Sequence, residues 1–241
     1  MDWSNTLSIS HLFYTHDIVV LGPAGEQIVV HIPSLREQLD ESFYVRFLQL
    51  FDDESMTLWM KLLPDLDKGQ ILQALMTDPR LTNLQEFSSL SRLLHEKMPT
   101  LLPRFEIRER QLYSDQTLLT GDAIDEVLFV LSAGMGKKVE RPQHFGPDEE
   151  EARKFYERAK AAQARSAKIR ANHSSSDHDG LMDMFVMISI NFPYTFEQMY
   201  DMTLAQLHYL QRMSSQIMSY EHNMMAYTAG NLKKAPNFFL K

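Results

Sequence analysis

Residues 120–136 read Thr120-Gly121-Asp122-Ala123-Ile124-Asp125-Glu126-Val127-Leu128-Phe129-Val130-Leu131-Ser132-Ala133-Gly134-Met135-Gly136. Thr120-Gly121-Asp122 opens a helix, and Gly134 and Gly136 supply its stop. The spacing therefore predicts a helix over 123–133 with Ile124, Val127, Leu128 and Leu131 on one face. So apolar a helix has to be enclosed by other elements, and it is read as the piece that closes an N-terminal core. The run Gly134-Met135-Gly136-Lys137-Lys138 superficially resembles a phosphate-binding loop. It follows a helix instead of a strand and lacks the spacing of that motif, so it is read as a helix C-cap.

Upstream, Asp17-Ile18-Val19-Val20-Leu21 and Gln27-Ile28-Val29-Val30-His31-Ile32 flank Gly22-Pro23-Ala24-Gly25-Glu26. Two β-branched runs joined by a Gly/Pro turn predict a hairpin, ended by Pro33. An isolated hairpin is marginal in water, so this one packs on the following helices or is completed by a partner. From Ser34 the period becomes helical, with Leu35, Leu39, Phe43, Phe47, Leu50 and Phe51 as one stripe and Ser34 with Glu37 in capping-box spacing. Further helices are expected around 56–63, 68–76 and 84–98, separated by Pro64-Asp65, Asp78-Pro79 and Pro99. Arg104 to Arg108 reads as a third strand or an extended link.

Downstream the composition changes. Acids at 148–151 followed by bases up to Arg170 match a helix dipole, so 148–171 is expected to be one long charged helix acting as a spacer. The polar run Asn172 to Gly180 reads as a linker, and a Met-rich unit follows it, with helices from Leu181, from Phe196 and from Leu204 to about Ala226. The fold expected is mostly α: an N-terminal β-hairpin packed on a helical domain (1–136), a charged helix and polar linker (137–180), and a small C-terminal helical bundle (181–241).

The chain has 241 residues, a formal charge of −8, 44% hydrophobic residues and no cysteine. This length can bury a core without disulfides, and the absence of thiols removes a disulfide framework and thiolate metal sites. No apolar run approaches the roughly 20 residues that cross a bilayer, and the acidic balance argues against nucleic acid as the main partner. The expectation is a soluble protein of the cell interior. His173, Asp177, His178 and Asp179, with serines between, are the one His/Asp cluster in the sequence. Metal ligands and catalytic triads need a rigid surround, and this segment has linker composition. Hence no catalytic, cofactor or metal residues are assigned.

Nine of the 15 methionines lie between Met182 and Met225. Methionine fills gaps in a core or lines an adaptable groove for apolar helices, and four tyrosines accompany it here. Met199, Met202, Met213, Ile217 and Met224 are the partner-contact candidates, together with Phe238 and Phe239 of the apolar tail, which folds back or anchors a partner.

The hairpin, the helix start Leu118-Leu119-Thr120-Gly121-Asp122-Ala123-Ile124, the charged 148–170 segment and the closing pattern Phe196-Glu197-Gln198-Met199-Tyr200-Asp201-Met202-Thr203-Leu204-Ala205-Gln206-Leu207 form one layout. Followed by Tyr227-Thr228-Ala229-Gly230-Asn231-Leu232, it resembles the tail assembly chaperones of long-tailed bacteriophages and, more loosely, their baseplate assembly proteins. The resemblance implies a non-catalytic protein of the host cytoplasm that coats the tape-measure protein and recruits tail-tube subunits. Its partners would be tape-measure, tail-tube or baseplate proteins, without cofactor, nucleic acid or membrane, and homo-oligomers are allowed. The alternatives are a permanent structural component of the virion tail or baseplate, a host-type cytoplasmic adaptor, or an enzyme.

Overall fold

The computed structural model describes residues 16–21, 27–40, 42–137, 177–232 and 234–236. The element order is β1 (Asp17–Leu21), β2 (Gln27–His31), α1 (Leu35–Asp40), α2 (Phe43–Gln49), α3 (Asp53–Leu62), α4 (Lys68–Thr77), α5 (Pro79–Thr82), α6 (Gln85–Leu101), β3 (Phe105–Arg108), β4 (Gln111–Ser114), β5 (Thr117–Leu118), α7 (Gly121–Gly134), α8 (Asp177–Asn191), α9 (Phe196–Tyr200) and α10 (Leu204–Thr228). The fold is mostly helical with an N-terminal hairpin, as the sequence predicts. The expected 148–171 helix lies outside the described residues.

The hairpin pairs Ile18 with Val30 and Val20 with Ile28. These four side chains and Ile32 are buried while Val19 is exposed, the alternation of a sheet with one face on a core. That face rests on α7, which also packs on α4. Thr120 caps α7, its Oγ1 accepting from the Ala123 N–H. From Ala123 to Gly134 all but Asp125 and Leu128 are buried, so the helix is enclosed on almost every side. Its true stop is Gly136, at φ +73°, where the left-handed backbone suits glycine. Gly134 serves a different need: a Cβ there would lie 2.2 Å from Cγ2 of Ile32, so glycine lets the end of α7 touch the end of β2.

Two local expectations are corrected, and one pair of alternatives is decided. The stripe over 35–51 does not form one helix, because Leu35 enters a second core while Phe43, Phe47 and Phe51 enter the first, leaving Leu39 58% exposed. The break between α1 and α2 lets the two ends face different cores. Pro99 does not end α6, which continues to Leu101. Burying a leucine contributes about 1.5–3 kcal/mol, and Leu101 and Leu102 are both fully buried, which outweighs the roughly 3 kcal/mol of an interior proline. Of the two readings of Arg104–Arg108, the strand holds: β3 is an edge of a three-stranded antiparallel sheet, order β3-β4-β5, whose other two strands the sequence reading missed. The β3–β4 turn, Glu109-Arg110, has φ of +50° and +66°. Positive φ at both residues is the hairpin-type turn that favours Asn-Gly, so each residue here stores roughly 1 kcal/mol.

The second core gathers Leu35, Met184, Phe185, Ile188, Met199, Leu207 and Leu210. α8 begins at Asp177, four residues inside the expected linker. The bundle of α8, α9 and α10 docks on the N-terminal part through α1. The Leu35 N–H donates to the Met202 carbonyl at 2.8 Å, and Arg36 donates to Asp201 and Glu197 at 2.9 and 2.8 Å. α1 is itself fixed by a reciprocal cap. The Ser34 N–H and Oγ–H donate to Glu37 Oε2, and the Glu37 N–H donates back to Ser34 Oγ. Burial raises the Glu37 carboxyl, but the two Ser34 bonds and the neighbouring His31 together outweigh it and hold it below the usual glutamate range.

Two outcomes follow. Gly134→Ala should destabilise the protein by roughly 1–3 kcal/mol in urea unfolding, because the added methyl meets the buried side chain of Ile32. Because the folded carboxyl of Glu37 is depressed, its contribution is present above the unfolded value of about 4.3 and lost as pH falls through the folded one. Glu37→Gln should therefore reduce the acid sensitivity of the thermal midpoint below about pH 4.3 while lowering the midpoint at neutral pH.

Candidate partner-binding surface

The C-terminal unit is built on capping. Thr195 with Gln198 opens α9 and Thr203 with Gln206 opens α10, each a reciprocal capping box, and the second is buried. A capping box satisfies two otherwise unpaired N–H groups, which matters most where water cannot reach them. α8 and α10 are then clamped through Ser214. Its hydroxyl donates to the Met187 carbonyl and accepts from the side-chain amide of Asn191. Phe185 packs edge-on to Tyr200, with ring centroids 5.2 Å apart, and touches Phe196.

On this frame the sequence-predicted residues separate. Met199 is a correction: it is fully buried among the second core, where it holds α9 to α8 and α10 and is closed to a partner. Met202 is half-buried and its carbonyl forms the docking bond to Leu35. The stripe of α10 changes along its length, from Leu207 and Leu210 at 0% and 6% exposure to half-buried Met213, Ile217 and Met224. A helix of 15 residues spans about 22 Å and one of 25 about 37 Å, so α8 is too short to accompany the whole of α10. The proximal part of the stripe is core, and the distal part is the partly open surface where the three predicted residues lie. Met218 and Met225, one heptad apart on a neighbouring face, are 42% and 69% exposed. Phe238 and Phe239 lie outside the described residues.

The sequence reading missed an exposed apolar row in this unit. Met182, Val186 and Ile190 recur every fourth residue on α8 and are 53%, 47% and 63% exposed, while Met184, Phe185 and Ile188 of the same helix are buried. The signal was present: a helix apolar on all sides cannot have every side in one small core.

Elsewhere, among the described residues, His16 and His31 stack at 5.9 Å beside Asp17 and Glu37. His31 Nδ1 lies 2.8 Å from Asp17, within the hairpin, and Nε2 lies 3.3 Å from Glu37, a bond that ties the hairpin to α1. No helix among these residues is long and apolar enough to cross a membrane, and no group of three or more His, Asp or Glu side chains is placed to hold a metal ion. Compared with known proteins, no family model, no curated protein and no solved structure matches this chain.

Replacing Met199 by Ala should cost about 2–5 kcal/mol of stability, as expected for a buried side chain. The Met182→Ser, Val186→Ser and Ile190→Ser changes should each shift it by no more than about 0.5 kcal/mol, measured by urea unfolding followed by circular dichroism.

Proposed function

We propose that the chain is a non-catalytic protein-binding module whose C-terminal helices hold an apolar helix of a partner. The observation that supports this is the row Met182, Val186 and Ile190 along α8, exposed on a helix whose opposite side is fully buried. Contiguous apolar exposure on a folded helix marks a contact surface, and apolar anchors four residues apart are the form in which one helix recognises another. The half-buried Met213, Ile217 and Met224 of α10 extend the same chemistry. Methionine side chains adapt to unlike partners, so this surface would tolerate variation along a long helix.

Such a surface fits the expectation that the resemblance to tail assembly chaperones raises. A tape-measure helix is apolar before the tail tube encloses it, and a Met-rich helical surface would shield it from aggregation during assembly. The partner is thus an amphipathic helix of a tape-measure protein, and the chain acts before the virion is complete.

The test is co-expression with tape-measure, tail-tube and baseplate proteins followed by affinity capture. The wild-type chain is expected to bring down the tape-measure protein and to be absent from finished particles. The triple variant Met182→Ser, Val186→Ser, Ile190→Ser should lose that capture with its thermal midpoint nearly unchanged. Capture by the triple variant equal to that of the wild type would sink the reading. Stoichiometric presence in particles would replace the chaperone with a structural subunit.

A further inference from the structure

A groove of about 740 Å³ lies between α4, the start of α5 and the β3–β4 turn, on elements remote in sequence from α8 and α10. Its walls include Gln70, Gln73, Asp78, Arg80, Arg110 and Gln111. The hydrogen bonds made inside the protein leave this wall lopsided. Gln70 Oε1 accepts from the Asp67 N–H at 2.9 Å in the cap of α4. Gln111 Oε1 accepts from the Tyr113 hydroxyl at 2.9 Å. Asp78 Oδ1 accepts from the Arg80 N–H at 2.9 Å. The side-chain oxygens of Gln70 and Gln111 and one oxygen of Asp78 are thus occupied. Among the described residues, the donors of the same side chains, the two glutamine amides and the Arg80 and Arg110 guanidiniums, have no protein partner.

A second observation concerns Arg110. The turn that carries it is held at positive φ in both central residues, neither of them glycine or asparagine. The neighbouring arginines of the sheet are already occupied: Arg104 pairs with Asp115, and Arg108 pairs with Glu106 and lies over the Tyr113 ring. Arg110 is the one of the three that lines the groove, and it forms no ion pair among the described residues; Arg80 lines the groove from a different element.

We infer that this groove is a second docking site, for an acidic extended peptide segment of a protein partner. Its carboxylates would pair with Arg80 and Arg110, and its backbone carbonyls would accept from Gln70 and Gln111. Guanidinium forks match carboxylates in two-point geometry. Two arginines with Asp78 beside them suit a short acidic peptide better than a nucleic acid, whose binding needs a longer run of positive charge. This site is independent of the apolar surface proposed above and stands or falls separately from it.

The experiment uses the full chain and a fluorescein-labelled decapeptide of alternating glutamate and alanine, followed by fluorescence anisotropy. The glutamine–alanine peptide and a labelled single-stranded oligonucleotide serve as comparisons. The wild-type chain should bind the glutamate peptide in a salt-sensitive way and not the glutamine one. Two-dimensional NMR should place the shifts at the side-chain amides of Gln70, Gln73 and Gln111. Arg80→Glu and Arg110→Glu should each weaken binding roughly tenfold, and Arg92→Glu, at an exposed position outside the groove, should not. Circular dichroism establishes that the variants are folded. No binding of the glutamate peptide by the wild-type chain, equal binding by the Arg80→Glu, Arg110→Glu double variant, or tighter binding of the oligonucleotide would each overturn the inference.

Discussion

A helix this apolar must be enclosed on almost every side, and α7 imposes that constraint on the whole N-terminal part. The hairpin covers one side of it and α4 another, with Lys68 of α4 paired to Asp125 of α7. The close fit is enforced at two glycines. Gly134 lets the end of β2 approach, and at Gly69 a Cβ would lie 2.2 Å from the Leu119 carbonyl, so the start of α4 can touch the chain just before α7. A larger residue would meet backbone at Gly69 and the buried Ile32 side chain at Gly134, so something must shift at either position. The hairpin, unstable alone, thereby becomes part of the core instead of an open edge.

The second core depends on the first through very few residues. Leu35 leaves the hairpin's end and enters the Met-rich bundle, and its N–H is bonded to Met202. Arg36 beside it reaches two carboxylates of α9 and its C-cap, an exposed set whose contribution is small in water. His208 and Leu204 lie close against Gly136 at the end of α7. The bundle is thus positioned mostly by one leucine, one backbone bond and the glycine-marked end of α7. This leaves the outer row of α8 and the distal part of α10 available for other contacts.

What could be read from the sequence followed from local rules. The hairpin, the Thr120 start of α7, the Ser34–Glu37 cap and the long helix from Leu204 each have a signature within a few residues. The errors came where a distant partner decides. Pro99 looks like a terminator until the burial of Leu101 and Leu102 is known, and the stripe from Leu35 to Phe51 looks continuous until two cores exist to divide it. β4 and β5 were missed because their strands are short and their turns use Glu109-Arg110 and Asp115 instead of glycine. For the surface, composition drew attention to the Met-rich unit, where the exposed row of α8 and the partly exposed distal residues of α10 lie. It also placed Met199 outside, since helical spacing cannot tell an inward methionine from an outward one, and it missed the α8 row for the same reason.

The binding of an apolar helix by α8 and α10 is the central claim, and hydrogen–deuterium exchange of the chain alone and with a captured tape-measure segment tests it most directly. The account predicts added protection within 182–190 and 213–225 on binding, with the hairpin and α7 unchanged. Protection confined to the N-terminal part, or none within α8 and α10, would contradict it.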